Sequence, residues 1–436
     1  MNPWLAVYQA LYPAVGVAVA ARMLAGGRSS TLREGPPDLK QRLGSVSGTS
    51  IAPESLWLHC ASVGELAGAA ALLRELPGRT AFITCSTVAG RERAAKLPGS
   101  QAALLAPLDL LPAARRFLST LKPRALIVLE TELWPATLSA CADSGVPFCV
   151  ANARITERSF PRYRLARPLF APILAKAAAV AAQTEGDAAR FAALGVPEAA
   201  IRVTGNVKYD AAGAAPAAVE EARRLLAGLG WKLGSDLVWC AGCTRPGAEE
   251  AAILDSYRKL RDRFPGLRLI LAPRHIERAG EAAEEISKRG LRFARYSDRN
   301  PHPGPLPSET GEGARDCLLV DRLGALPALY AAADVAFVGG TLVPVGGHNL
   351  LEPAVAGVPV LFGPDTSSIA SPAAALDRSG GGFRVADAEH LQRVVEMLLS
   401  EPESRASAGR RARKTASDFA GAARRAAQFL VERLAL

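Results

Sequence analysis

The sequence predicts an α/β protein built from two doubly wound parallel-sheet domains, and three observations lead there. Short apolar, β-branched runs alternate with helix-like segments at βα spacing, which calls for parallel strands with helices on both faces. The alternation runs from Leu56 to Val203, stops at the Ala/Gly/Pro stretch Ala211 to Ala218, and begins again at Leu237. A length of 436 residues is more than one core organises and suits two domains of about 200 residues. The expected boundaries are 34–212 and 213–415, preceded by a helix and basic flank at 1–33 and followed by a helix at 416–436.

Composition narrows the function. A hydrophobic content of 49% supplies material for two cores, and a net charge of +10 asks for an anionic partner: nucleic acid, an acidic membrane surface or a phosphorylated substrate. Aromatics at 6% are too few for the stacking platforms that single-stranded nucleic acid needs. The seven cysteines are scattered, mostly inside apolar runs, as buried thiols of a reducing compartment are. Cys240 and Cys243 have a redox or half-zinc spacing, yet no second pair accompanies them and they end a strand-like run.

Residues Pro3 to Ala21 are almost uncharged, and Arg22, Arg28 and Arg33 follow. Charge after the apolar stretch is the wrong order for a secretory signal, and Gln9, Pro13 and Gly16 weaken a spanning helix. An uncleaved helix that anchors to or lies on the membrane is expected, with a buried helix of the first domain as the alternative. Glu34 to Pro53 reads as a linker.

In the first domain, Leu56 to Cys60 is a strand that turns through Ser62-Val63-Gly64-Glu65 into a helix. Glu65 therefore stands at a strand-to-helix junction, where open α/β sheets place their chemistry; complementing the helix dipole is its plainer role. Ala81 to Thr84 is the second strand, with Thr87 and Gly90 opening the next helix. Ala125 to Leu129 runs straight into Glu130-Thr131-Glu132-Leu133-Trp134-Pro135, and Glu132 has the alternative of capping the following helix. Val146 to Val150 leads to Asn152-Ala153-Arg154-Ile155-Thr156-Glu157-Arg158-Ser159. Onward to Lys176, arginines interleave with Phe160, Tyr163, Leu165, Leu169 and Phe170, a pattern shared by membrane-surface helices and solvated basic ones. Val180 to Gln183 and Ile201 to Val203 complete the series before Gly205-Asn206-Val207-Lys208-Tyr209-Asp210.

The second domain opens with the strand Leu237 to Ala241, continues with Leu267 to Leu271, and delivers Pro273-Arg274-His275 just past a strand, where an arginine can fork onto phosphate. Residues 297–316 lack periodicity and read as a flexible insertion. Cys317 to Val320 returns to strand and turns at Leu323-Gly324-Ala325. The segment from Asp334 to Pro364 is the most informative. Val335 to Val338 is a buried strand, glycine pairs Gly339-Gly340 and Gly346-Gly347 follow, and Asn349 is the expected N-cap of a short helix carrying Glu352. Free N–H groups of such a turn attract phosphate, and a nearby carboxylate accepts from ribose hydroxyls.

The stretches SVGE, LETELWP, ANARITERS, TGNVKYD, APRHIER and GGHNLLEP, taken in order over nearly the whole chain, resemble the 3-deoxy-D-manno-octulosonic acid (Kdo) transferases. The resemblance implies the GT-B fold of two Rossmann-like domains facing a cleft, and inverting transfer of Kdo from CMP-Kdo to a hydroxyl of a lipid A precursor in lipopolysaccharide synthesis. It implies Glu65 as proton acceptor and Glu130 and Lys208 as transition-state stabilisers. It also implies CMP contacts from Pro273, Arg274, Leu323, Gly324, Ala325, Asn349, Leu350, Leu351 and Glu352. No metal or other cofactor is expected, since fixed cations can take a departing monophosphate. The expected partners are CMP-Kdo, a lipid A precursor and an anionic membrane surface, not nucleic acid, and the expected location is the cytoplasmic face of the inner membrane. Two departures bear on the donor site: Ala325 stands where the family has Glu, and Asp365 where it has His. The alternatives are a GT-B transferase using a UDP-sugar and a non-catalytic binder of acidic lipid.

Overall fold

The structure, a computed structural model, describes residues 2–13, 36–46, 48–49, 51–52, 54–76, 78, 80–211, 213–298 and 315–436. Arg22, Arg28, Arg33 and the interior of the expected insertion, 299–314, lie outside the described residues. The chain up to Ala211 together with Gly421–Leu436 forms one compact unit, and Ala212–Ala420 forms a second.

The first unit holds strands β1 (Leu56–Cys60), β2 (Ala81–Cys85), β3 (Ser100–Leu105), β4 (Ala125–Leu129), β5 (Phe148–Ala153), β6 (Ala179–Ala182) and β7 (Ile201–Val203). They make one parallel sheet in the order β3-β2-β1-β4-β5-β6-β7. Every residue of β1, β2, β4, β5 and β6 is buried, which is why these strands read as continuous apolar runs rather than alternating ones. One face carries Trp57, Phe82 and Phe117, with the Trp57 and Phe117 rings 4.8 Å apart. On the other face, Ala422, Ala426, Phe429 and Leu430 of the last helix join the core beside helix Val63–Arg74.

The expected single helix at 416–436 is two helices, Pro402–Phe419 in the second unit and Ala422–Leu434 in the first. Gly421 separates them at φ 78°. Asp210 fixes the restart by accepting from Gly421 N at 2.6 Å and Ala423 N at 2.5 Å.

The N-terminal segment is helical over residues 3–13. Leu5 is buried, Tyr8 donates to Asp109 Oδ2 at 2.8 Å, and Gln9 bonds both Asp109 O and Leu111 N. The opposite face leaves Trp4, Val7 and Leu11 exposed. Among the described residues no helix is long and apolar enough to cross a membrane.

The second unit repeats the plan with β8 (Leu237–Thr244), β9 (Leu267–Pro273), β10 (Phe293–Arg295), β11 (Cys317–Leu319), β12 (Val335–Val338), β13 (Val360–Phe362) and β14 (Gly382–Arg384). These form a parallel sheet ordered β10-β11-β9-β8-β12-β13-β14. The ends of the expected 297–316 insertion belong to this fold. Ser297 N donates to Asp321 Oδ1 at 2.9 Å, and the buried Asp316 pairs with Arg261 at 3.2 Å and Arg292 at 3.4 Å.

In each sheet the strand order reverses at one place: β1 beside β4 in the first unit, β8 beside β12 in the second. Loops leaving the carboxyl ends of such a strand pair diverge and leave a crevice for ligand.

Candidate functional site

In the first unit that crevice collects the acidic motifs. Ser62 is the N-cap of helix Val63–Arg74 and Glu65 lies in its first turn. The Glu65 carboxylate bends back to the strand end: Ala61 N donates to Oε2 at 2.8 Å and Ser62 Oγ to Oε1 at 3.0 Å. The side chain is only 7% exposed. Burial raises its pKa above the ordinary carboxylate value; the Ala61 bond opposes this, and the negative charge of Glu130 adds to it.

Glu130 is the residue that leaves β4 and adopts φ 60°, a left-handed conformation costly for a side chain of this size. It forms an ion pair with Lys208. Lys208 sits on the 3-10 turn Val207–Ala211, which packs on the Glu65 helix; a Cβ on Gly68 would lie 2.9 Å from Val207 Cγ2. Asn152, in β5, is also left-handed, at φ 54°. Fully buried, it accepts from Val207 N at 3.0 Å and points its amide at Glu130 Oε1, 3.5 Å away. Nothing in the sequence gives Asn152 a role beyond its position at a strand end, the one signal that points to it.

Glu132 does not cap the following helix. Asp109 does, accepting from Ala136 N at 3.0 Å and Thr137 N at 2.7 Å. Glu132 Oε2 instead lies 4.0 Å from His59 Nε2, beside a cavity of about 180 Å³ walled by Trp57, Leu126, Val128 and Trp134. Burial, then the Arg42 charge, pushes the His59 pKa down to about 4. His59 is therefore neutral, with Nδ1 at 2.9 Å from Thr84 Oγ1.

In the second unit the glycine turn is built differently from the expectation that its N–H groups wait for phosphate. Glu249, fully buried at the start of helix Ala248–Arg263, occupies them: its carboxylate accepts from Gly340 N at 2.9 Å, Thr341 N at 3.2 Å, Leu342 N at 3.1 Å and Arg245 N at 2.8 Å. Gly339 admits this clamp, because a Cβ there would lie 2.6 Å from Cys243 O and 2.8 Å from Glu249 Oε2. Asp365 similarly takes Gly346 N at 2.7 Å, so the departure at 365 has a structural task.

The cations carry what positive potential remains. Arg274 follows β9, which ends at Pro273; its side chain is exposed, and no carboxylate or hydrogen-bond acceptor meets it among the described residues. Arg245 follows β8 and contacts His275 and His348. Leu350, not Asn349, is the N-cap of helix Leu351–Ala356. Asn349 Oδ1 accepts from Leu351 N at 3.1 Å, and its amide approaches Glu352 Oε1 at 3.4 Å. Burial pushes the Glu352 pKa up to about 7, against that amide and the Arg274 charge. Leu350 and Leu351 are buried. Gly324, at φ 91°, and Ala325 form the entry to helix Leu326–Tyr330, which packs on helix Leu351–Ala356. Leu323 is exposed beside them. The nine expected nucleotide contacts thus fall in three segments of the second unit: the end of β9, the entry to helix Leu326–Tyr330 and the start of helix Leu351–Ala356. Cys240 is buried inside β8, and among the described residues no group of His, Cys, Asp and Glu is placed to hold a metal.

Residues 37–211 match the family model described as 3-Deoxy-D-manno-octulosonic-acid transferase (kdotransferase). The 3-deoxy-D-manno-octulosonic acid transferase of Haemophilus influenzae is 34% identical over 90% of this chain and 90% of its own length. The chain belongs to the Kdo transferase family. The Kdo transferase of Bordetella pertussis is also 34% identical, over 88% of this chain and 89% of its own. Among solved structures, Anabaena Alr3699/HepE in complex with UDP superposes with a TM-score of 0.60 at 14% identity, covering 88% of this chain and all of that one. That likeness supports the fold alone: this Kdo transferase has the two seven-stranded parallel sheets of a GT-B-like glycosyltransferase.

Proposed function

We propose that this Kdo transferase moves Kdo from CMP-Kdo to a hydroxyl of a lipid A precursor with inversion at the anomeric carbon. The arrangement of Glu65 carries the reading. A general base works best when its pKa is raised toward the operating pH, and burial does this to Glu65 while two hydrogen bonds hold its carboxylate still. Glu65 takes the acceptor proton. The Glu130–Lys208 pair supplies a fixed dipole for charge that develops at the reacting centre. Arg274 takes the phosphate of departing CMP, Glu352 and Asn349 face the ribose, and the backbone at 323–325 lines the same pocket.

The acceptor is a lipid, and the first unit offers it a surface. Exposed Trp4, Val7 and Leu11 share one helix face, and Asn2 ties that helix to Pro168 O and Leu169 O at 3.2 Å. The helix Arg167–Leu174 that accepts these bonds is preceded by helix Phe160–Leu165, which presents Leu165, 86% exposed, with Arg158, Arg162 and Arg164 exposed and without carboxylate partners among the described residues. Apolar side chains flanked by unpaired arginines suit anionic headgroups, here those of the cytoplasmic face of the inner membrane.

The reading is tested by titrating the protein with CMP and with UDP in a calorimeter, then supplying CMP-Kdo and a lipid A precursor. Binding of CMP over UDP, with the lipid gaining the mass of Kdo, is the expected result. Preference for UDP, or no lipid product, overturns it.

A further inference from the structure

Arg245 is the first residue beyond β8, at the place where the second sheet reverses its strand order. Its backbone is anchored through its N–H to Glu249. Its guanidinium is held at both tips: Nη1 lies 2.7 Å from His275 Nε2 and Nη2 lies 3.3 Å from His348 Nε2. Arginine has only donors, so both imidazoles must accept through Nε2 and carry their proton on Nδ1. His275 fits, with Nδ1 at 3.2 Å from Glu277 Oε1. Gly340 makes room for the second imidazole, since a Cβ there would lie 3.1 Å from His348 Cδ2.

Two neutral acceptors orient a guanidinium without cancelling its charge. No carboxylate lies within ion-pairing distance of Arg245 among the described residues, the oxygens of nearby Glu249 are committed to backbone N–H groups, and Arg245 Nε is buried without an acceptor. A partly buried cation with a vacant donor is costly unless an anion completes it. Arg274, which makes no ion pair among the described residues, adds to the same field; burial, then the charges of Arg274 and Arg245, pushes the His348 pKa down to about 4.

We propose that Arg245 is a specificity-determining residue of the donor site, its guanidinium holding an oxyanion of the sugar nucleotide while His275 and His348 keep the fork aimed. The proposal rests on the CMP-Kdo reading above. That donor carries two oxyanions, the phosphate and the sugar carboxylate, and either presents the paired oxygens a guanidinium binds.

The experiment compares wild type, R245Q and R245K by titration with cytidine and CMP and by the KM for CMP-Kdo, with melting temperature recorded for each. If the phosphate is the ligand, R245Q weakens CMP about 10- to 100-fold and leaves cytidine unchanged. If the carboxylate is, CMP and cytidine are unchanged and the KM for CMP-Kdo rises by a similar factor. R245K, which keeps charge but loses the fork, falls between wild type and R245Q, and serves as the measured variant if R245Q does not fold. A change below about threefold in both CMP affinity and KM, or an equal loss of cytidine binding, overturns the assignment. Should wild type bind UDP in place of CMP, the donor reading fails, and the uridine and UDP pair tests Arg245 independently.

Discussion

The Lys208 ammonium is paired with the Glu130 carboxylate in the same crevice that holds Glu65, so one of two neighbouring acids is neutralised while the other keeps a raised pKa. This division fits the proposed role of Glu65 as the proton acceptor. Glu65→Gln keeps the shape and removes the base, and transfer of radiolabelled Kdo should fall by about 10²- to 10⁴-fold. CMP affinity, measured by calorimetry, should not change, because the proposed nucleotide contacts lie in the other unit. Undiminished transfer would remove Glu65 from the mechanism.

The same pairing sets the pH profile. As the proposed base, Glu65 must be ionised to act, so kcat/KM should decline as pH falls through its pKa, at a pH above the ordinary carboxylate value. Lys208→Met leaves Glu130 uncompensated, and its charge then opposes ionisation of Glu65 more strongly. The residual activity, reduced by about 10²-fold or more, should show its acidic limb displaced to higher pH. A limb that stays in place or moves down would contradict the electrostatic coupling.

Glu352 titrates in the opposite unit, and its folded pKa of about 7 has a consequence for stability. A carboxyl whose pKa is raised by folding contributes fully below its unfolded value and loses that contribution as pH rises through the folded one. Glu352→Gln should therefore melt at the same temperature as wild type near pH 4.5 and at a higher temperature above pH 7.5. CMP affinity should drop in this variant, since the amide loses an acceptor for ribose. Equal melting temperatures at both pH values would mean Glu352 is not buried as an acid.

Much of the fold was legible because parallel strands buried on both faces leave unbroken apolar runs. Leu56–Cys60, Ala125–Leu129, Ile201–Val203 and Val335–Val338 are read from sequence with the bounds they have in the structure. The strands passed over are Ser100–Leu105, whose first half is partly exposed and polar, and the three-residue pieces Phe293–Arg295 and Gly382–Arg384 at the edges of the second sheet. Short edges carry too few residues for a pattern. In the site, Glu65, Glu130 and Lys208 were found by motif, and the structure brings them into one crevice. Glu249 was not, because a glutamate in the first turn of a helix normally serves only the dipole. Its clamp on Gly340, Thr341 and Leu342 spans more than 90 positions of sequence, and nothing local announces it.

The exposed face of the N-terminal helix gives a membrane prediction. Replacing Trp4, Val7 and Leu11 together with Ser removes three apolar side chains from a surface that already faces outward. Folding should change little, while each side chain that inserts into lipid contributes about 1.5–3 kcal/mol when fully buried. Sedimentation with vesicles containing anionic lipid should fall at least 10-fold. Replacing Arg158, Arg162 and Arg164 with Gln should weaken binding to anionic vesicles only, and high salt should mimic it. Unaltered binding in both variants would place the lipid elsewhere.

The clamp by Glu249 makes the sharpest stability prediction. Glu249 is fully buried and its two oxygens accept from four backbone N–H groups, those of Arg245, Gly340, Thr341 and Leu342. Glu249→Ala strands four donors, those of Gly340 and Thr341 buried and those of Arg245 and Leu342 partly so, and each buried one left unsatisfied costs about 1–3 kcal/mol before water enters the gap. Glu249→Gln is no rescue, because its amide keeps one acceptor oxygen and turns an NH₂ group toward donors. Both variants should lose about 3 kcal/mol or more in chemical denaturation, far beyond an ordinary first-turn glutamate, worth about 0.3–1 kcal/mol. Because the same carboxylate fixes Arg245 N, CMP binding should weaken in parallel even at temperatures where the protein stays folded. A loss below 1 kcal/mol would show that water replaces the carboxylate without penalty, and that the glycine turn is free to receive phosphate after all.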